Sequence, residues 1–250
     1  PIAAVLVLAG LAGIAAGCGK SDARTAKLEE LRLDYANWSP VSLVLRQQKF
    51  LEQEFAPDGT KITWVFSQGS NKSMEFLRSG STDIGSSAGV AALISYANGN
   101  PIKTVYIGTT PEWTALLVKP GSDVTSVAQL KGKTVAATPG TDPYVFLVRS
   151  LQQAGLRLED VNVVTLQHPD GKNELLRGRV DAWAGLDPLM AQAELAGAPF
   201  LYRNVDFNTY NVISVRRDFA EKHPDVVKRV LAAYEKGRAW AKAHPEEFVK

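Results

Sequence analysis

Gly85-Ser86-Ser87-Ala88-Gly89 fits the G-x-S-x-G pattern of a nucleophile elbow, in which a serine at a sharp strand-to-helix turn attacks an acyl carbon. Such a serine needs a histidine base that an acid holds in place. The chain has three histidines. His223 and His244 each precede proline in charged stretches, and His168 opens the turn His168-Pro169-Asp170. Ser87 and His168 could follow the Ser–Asp–His order, but no glycine-rich oxyanion segment stands upstream. A serine hydrolase built on Ser87 is therefore a distant alternative. The plainer reading is a run of small residues that lets the backbone turn at a strand end.

The same run has a second chemical meaning. A Gly/Ser/Ala turn leading into a helix over 90–97 would present free N–H groups and hydroxyls at the positive end of the helix dipole, which suits an anion. Gly140-Thr141-Asp142-Pro143 repeats the design before a helix over 144–154, and Asn37-Trp38-Ser39-Pro40 repeats it before a helix opening at Val41. All three follow expected strands, which places them at the C-terminal edge of parallel sheets, where open α/β folds bind ligands. Trp38, Trp113 and Trp183 flank these loops and can serve equally as core packing. Metal-ligand spacings, a P-loop and a dinucleotide fingerprint are absent, so neither a metal nor a cofactor is expected.

These loops need elements to position them. From Leu31 onward, short β-rich runs alternate with longer amphipathic ones. Strands are expected over 31–35, 61–66, 103–108, 114–118, 134–137, 161–166, 182–184, 200–202 and 211–215. Helices are expected between them: Val41, Val44, Leu45, Leu51 and Phe55 share one face, and further helices cover 74–78, 90–97, 124–130, 144–154, 173–176, 189–195 and the stretch from Asp218 onward. The alternation implies an α/β fold with mostly parallel sheets. One internal echo stands out. Leu77-Arg78-Ser79-Gly80-Ser81-Thr82-Asp83 and Leu175-Leu176-Arg177-Gly178-Arg179-Val180-Asp181 both end a helix with glycine and enter a strand at aspartate. Two lobes of similar topology would explain it, each offering a small-residue loop: Gly85 to Gly89 in one, and Ala184-Gly185-Leu186-Asp187-Pro188 in the other. Common αβ-loop chemistry would also explain it.

Composition excludes several classes. At 27.1 kDa, 45% hydrophobic and 22% charged, the chain is neither disordered nor a multi-span membrane protein, and about 150 residues per domain allows one or two domains. Twenty-eight Lys and Arg against 26 Asp and Glu leave a formal charge of +2, which gives no case for a nucleic-acid partner. The single cysteine, Cys18, rules out an intrachain disulfide. Residues 2–17 carry no charge and close on Ala15-Ala16-Gly17-Cys18, after which Lys20, Ser21, Asp22 and Arg24 follow. That pattern is a secretory h-region with its cleavage site, and it resembles the lipobox of bacterial lipoproteins, with Ala15 where leucine is usual. Residues 1–18 are thus expected to be a lipoprotein signal peptide and Cys18 to be the acylated residue, anchored on the periplasmic or extracellular face of a bacterial membrane. Residues 19–30 would be a tether. With no starting Met, no basic n-region and a helix that opens at Pro245 just before Lys250, both ends are expected to continue.

Taken in order, Leu43 to Phe50 leading into Phe50-Leu51-Glu52-Gln53-Glu54-Phe55, Gly80-Ser81-Thr82-Asp83-Ile84-Gly85, residues 127–136, Gly178-Arg179-Val180-Asp181-Ala182-Trp183 and Asp187-Pro188 resemble the solute-binding proteins of ABC importers, specifically the aliphatic-sulfonate, nitrate and taurine group. The resemblance implies a type II periplasmic binding protein: two Rossmann-like α/β lobes joined by a hinge, with ligand in the cleft. Lobe one would comprise 31–118 and 212–250, and lobe two 119–211. Ligand contacts would fall on Asn37, Trp38 and Ser39; on Gly69 and Ser70; on Ser86, Ser87, Ala88 and Gly89; on Gly140, Thr141 and Asp142; and on Trp183 and Asp187. The implied partners are a small anionic or zwitterionic ligand, a membrane permease and a membrane surface, with the receptor itself a monomer. The ligand would be an alkanesulfonate or taurine, with nitrate, bicarbonate or another small organic molecule as alternatives. If Asp142 or Asp187 lines the cleft, an ammonium-bearing ligand such as taurine is favoured; as a helix cap and a turn former they would be structural. The enzymatic branch of the superfamily, a pyrimidine synthase with a cysteine-rich motif, is incompatible with a lone cysteine.

Overall fold

The computed structural model of the chain describes residues 28–248; Cys18 and the apolar run before it lie outside the described residues. In chain order the elements are β1 (Glu30–Tyr35), α1 (Pro40–Gln47), α2 (Phe50–Phe55), β2 (Lys61–Phe66), α3 (Ser70–Ser79), β3 (Ile84–Ala88), α4 (Gly89–Ala97) and β4 (Ile102–Thr109). Then come β5 (Thr114–Val118), β6 (Thr134–Ala137), α5 (Asp142–Gln153), β7 (Asn162–Thr165), α6 (His168–Leu176), β8 (Ala182–Leu186), α7 (Leu189–Leu195) and β9 (Phe200–Tyr202). The chain ends with β10 (Asn211–Arg216), α8 (Arg217–Lys222), α9 (Pro224–Ala243) and α10 (Pro245–Phe248).

Two five-stranded sheets result, ordered β2-β1-β3-β10-β4 and β7-β6-β8-β5-β9. Each is built alike. Three strands run parallel, and a strand arriving from the other lobe is inserted antiparallel beside the third: β10 against β3 and β4, β5 against β8 and β9. The sheets are therefore mixed and not mostly parallel, because a crossing strand must enter from the opposite direction. The expected lobe boundary also moves. β5, expected in the first lobe, pairs with β8 over Thr114–Val118 and belongs to the second sheet, so the crossing lies between Thr109 and Thr114.

The helix–Gly–Asp echo takes equivalent places in the two sheets. Gly80 and Gly178 close α3 and α6 at φ +75° and +70°, a left-handed conformation that glycine adopts without steric cost. The aspartates that follow then make the same bonds. Asp83 Oδ2 accepts the Arg32 N–H at 3.0 Å, and Asp181 Oδ2 accepts the Thr134 N–H at 3.0 Å. Each also takes a cation, Arg32 at 2.7 Å and Lys119 at 2.7 Å. Each aspartate thereby ties the start of a central strand to the start of its parallel neighbour.

Two local expectations differ. The single helix expected to carry Val41 through Phe55 is two helices, because Lys49 takes φ 55° and turns the chain between α1 and α2. The small-residue loops are not loops: Gly85 to Ala88 lie in β3, and Ala184, Gly185 and Leu186 lie in β8, held there by the inserted crossing strands.

Lobe one packs Leu31, Leu33, Ile84 and Val215 of its sheet against Leu45, Leu51, Phe55, Val230 and Tyr234. Lobe two has a core on each face of its sheet, one around Phe146, Leu147 and Leu151 of α5, the other around Leu175, Trp183 and Met190. Gly237 lets α9 rest directly on α1: a methyl there would lie 2.3 Å from Leu45 Cδ1 and 3.3 Å from Val41 Cγ1. Alanine is the better helix former by about 1 kcal/mol, but overpacking a buried crossing costs about 1–3 kcal/mol. Gly237→Ala is therefore expected to destabilise, and urea denaturation should show a lowered midpoint with an unchanged slope.

Candidate functional site

In α5 the segment Gly140-Thr141-Asp142-Pro143 starts the helix as its composition suggests, with Gly140 at φ +76° and the Thr141 hydroxyl turned back to Thr138 O at 2.6 Å. Asp142 is engaged by protein donors. Its Oδ2 accepts the Trp113 indole N–H at 2.6 Å and the Thr209 N–H at 3.0 Å, and its Oδ1 accepts the Thr209 hydroxyl at 3.1 Å. Burial raises its pKa, and the Thr209 and Trp113 donors oppose the rise. Trp113 and Thr209 lie on the two crossing connections, so one carboxylate of lobe two holds both. Thr209 Oγ1 also accepts the Val90 N–H of α4 at 3.3 Å, which extends the link into lobe one.

That link changes the reading of α4. Its first N–H groups are engaged, Gly89 with Tyr210 O at 2.8 Å and Val90 with Thr209, so the Gly85–Gly89 run does not offer the free donors expected of it. The serines are engaged too. Ser86 gives its N–H and hydroxyl to Asp34 Oδ1 at 2.8 and 3.2 Å, and Ser87 gives its hydroxyl to Ala88 O at 3.1 Å. With its proton on a backbone carbonyl, Ser87 lacks the hydrogen bond to a histidine that a nucleophile needs. The Ala88 N–H donates to Ser70 Oγ at 2.9 Å, which fixes the start of α3 against β3.

Sequence reasoning missed Asp34. It is fully buried at the C-terminal end of β1 and accepts Ser67 Oγ at 3.0 Å besides the Ser86 donors. Burial pushes its carboxyl up to about 6, with the Ser86 N–H and the neighbouring hydroxyls pulling the other way. An isolated aspartate in an alternating strand carries no sequence signal of this role; only the serines two elements away explain it.

The lobes meet where three helices begin. A methyl placed at Gly69, before α3, would lie 3.1 and 3.2 Å from His168 Cδ2 and Nε2 at the start of α6, and one at Gly140, before α5, would lie 3.6 Å from Asn71 Cβ. The first amides of a helix have no acceptor inside it, so the starts of α3, α5 and α6 bring N–H groups from both lobes to one seam. His168 Nε2, Gln167 Oε1 and Asn71 Oδ1 are buried there or beside it without hydrogen-bond partners. Ala36, Trp38, Ala88 and Ala91 of lobe one form a buried apolar cluster with Trp113 and Leu186, in which Trp38 and Trp113 pack edge to face at 6.0 Å.

Of the other expected contacts, Asn37 is exposed on a turn, and Ser39 joins Trp38 at a separate cavity of about 30 Å³ with Asn211 and Tyr234. Trp183 is fully buried in the core of lobe two, its indole so close over Gly171 that a methyl there would lie 2.7 Å from Nε1. Asp187 donates its N–H to Trp113 O at 2.9 Å, and burial raises the pKa of its half-buried carboxyl. Of the two aspartates, Asp142 is thus occupied by protein donors. The seam comprises Gly69, Ser70, Gly140 and Thr141, which were expected, and His168, which was set aside as a turn residue. His168-Pro169 after a strand has the same form as Asp142-Pro143, and that likeness was the available signal.

Comparison with known proteins places this geometry. A family described as NMT1/THI5 like matches residues 55–248. A protein of Escherichia coli (strain K12) with the provisional name aliphatic sulfonates-binding protein is 30% identical over 96% of this chain and 75% of its own length. The alkanesulfonate-binding protein SsuA from Xanthomonas axonopodis pv. citri, solved bound to MOPS, superposes with a TM-score of 0.83 at 27% identity, covering 90% of this chain and 78% of that one. A protein of Brachyspira hyodysenteriae provisionally named an ABC transporter periplasmic binding protein is 24% identical over 85% of this chain and 64% of its own length.

Asp34 and His168 set opposite pH dependences. The folded Asp34 carboxyl titrates at about 6, above its usual 3.8, so the folded state binds the extra proton between those values; its contribution to stability falls as pH rises from about 4 to 6. Burial lowers His168 from 6.5 to about 4, so its contribution is lost as pH falls through that window. Each slope approaches about 1.4 kcal/mol per pH unit. Urea denaturation between pH 4.5 and 6.5 should show stability climbing more steeply with pH in Asp34→Asn than in the parent chain, and less steeply in His168→Gln.

Proposed function

This chain belongs to the NMT1/THI5-like family, and on that premise we propose that it is the extracytoplasmic solute-binding protein of an ABC importer, which takes a small sulfonate between its lobes and delivers it to a membrane permease. The observation that carries this reading is the seam where α3 of lobe one faces α5 and α6 of lobe two. Three helix starts from opposite lobes direct N–H groups and positive dipole ends at one place. A sulfonate, with three acceptor oxygens spread over a tetrahedron, can accept from all of them at once. Hydrogen bonds to a charged group contribute about 1.5–3 kcal/mol each, so four or five, less the cost of association, give roughly micromolar affinity.

Binding and release are then a matter of hinge motion about the two crossings, with Asp142, Trp113 and Thr209 as the fixed point. The protein binds its ligand and does not transform it. Asp142, occupied by protein donors, is not the reason for any preference for an ammonium group. At the other end of the chain, acylated Cys18 would hold the receptor, a monomer, at the outer face of a bacterial membrane.

A ligand that binds only the folded state stabilises it by about 2.7 kcal/mol at a hundredfold excess over its dissociation constant. Thermal melts with taurine, alkanesulfonates, nitrate and bicarbonate should rise with one or more sulfonates and stay unchanged with nitrate and bicarbonate. Ester turnover that Ser87→Ala abolishes, with no sulfonate shifting the melt, would overturn the proposal.

A further inference from the structure

His168 is fully buried, and its ring is held by a single hydrogen bond. Thr138 Oγ1 lies 2.6 Å from Leu166 O and 3.3 Å from His168 Nδ1. A carbonyl oxygen can only accept, so the Thr138 hydroxyl proton is committed to Leu166, and the hydroxyl turns lone pairs toward the ring. Nδ1 must then be the protonated nitrogen. In the neutral imidazole that leaves Nε2 as a lone pair, and burial without a charged partner keeps the ring neutral.

That lone pair points across the seam at Gly69 and has no hydrogen-bond partner. Asn71 and Gln167 beside it can turn either end of their amides to a neighbour, but the ring of His168 cannot: its tautomer is set from behind by Thr138. The seam therefore combines helix-start N–H donors with one acceptor of fixed identity. When the lobes open, water can donate to Nε2. In the structure Asn71 turns its oxygen and not its N–H to this place, so the nitrogen is buried unpaired, which disfavours the closed form unless the ligand brings a donor. A bare sulfonate satisfies the helix starts and does nothing for Nε2.

We propose that His168 is a specificity-determining residue that accepts a hydrogen bond from the ligand, so that the receptor prefers sulfonates carrying an O–H or N–H group over plain alkanesulfonates of the same size. This rests on the sulfonate-receptor reading of the same seam and names the substrate class within it. A site built to accept a donor discriminates against the analogue that lacks it, because the buried acceptor is then left unpaired. The expected preference is about tenfold or more.

Calorimetric titration with 2-hydroxyethanesulfonate, 2-aminoethanesulfonate and 1-propanesulfonate tests this, since the three differ only in OH, NH3+ or CH3 at one position. The unmodified protein should bind at least one donor-bearing ligand about tenfold more tightly than 1-propanesulfonate. His168→Leu should bring that ratio to within about twofold, and His168→Gln, whose amide oxygen can accept, should retain most of it. Equal binding of all three ligands by the unmodified protein, or a preference that survives His168→Leu, would overturn the role of His168 and leave sulfonate binding standing. Absence of binding to all three would overturn the sulfonate reading itself. If His168→Leu does not fold, the ratio in the unmodified protein still decides.

Discussion

Asp142 lies where the chain passes between the lobes, and the rest of the architecture depends on how its charge is accommodated. A buried carboxylate must be hydrogen-bonded or it neutralises. The donors here are Trp113, on the first crossing, and Thr209, on the second. Neither crossing can shift without removing a donor from a buried acid. The same bonds place the start of α5 beside the crossings, and through Thr209 they occupy the start of α4. Helix starts that would otherwise be interchangeable are thereby sorted: α4 is tied to the hinge, while those of α3, α5 and α6 are left at the seam. A residue whose charge would have opposed an anion serves instead to hold the frame of the seam.

The two lobes repeat one solution to one problem. In each, a helix ends in a left-handed glycine, and an aspartate then secures the central strand to an amide near the start of its parallel neighbour and to a cation: Asp83 with Arg32, Asp181 with Lys119. Building the lobes alike makes the C-terminal edges of both sheets, and the helices that follow them, face each other across the cleft. The lobes then diverge in what they contribute. Lobe one brings Gly69 and Ser70, with the serine fixed by the Ala88 N–H. Lobe two brings Gly140 and the imidazole of His168. A methyl at Gly69 would crowd Asn71 Oδ1 at 2.8 Å and the His168 ring at 3.1 and 3.2 Å.

How much of this was legible in the sequence follows from the range of each interaction. The echo at Gly80 and Gly178, the Thr141-Asp142-Pro143 helix start and the alternation of strands and helices are written within a few residues, and they announced an α/β chain with two related halves. Interactions between distant segments were not legible. β5 reads as a strand wherever it is placed, and only its pairing with β8 and β9 assigns it to lobe two. The small residues of β3 look like a loop because their strand character comes from β10, more than a hundred residues later. Asp34 reads as the polar member of an alternating strand, yet it is fully buried under serines from three other elements. Trp183 follows the family pattern and was expected at the ligand, but its position inside β8 turns it into the core over Gly171. His168 was passed over because histidine before proline in a polar stretch is usually an exposed turn.

The central claim is that a sulfonate is held between the lobes by helix starts from both. Hydrogen–deuterium exchange with and without saturating 2-hydroxyethanesulfonate or 1-propanesulfonate tests it most directly. Slower exchange confined to the amides of residues 69–71 of lobe one together with those of 140–142, His168 and Asp170 of lobe two is the predicted result. Unchanged exchange at these amides with ligand bound, or protection within one lobe alone, would contradict the account.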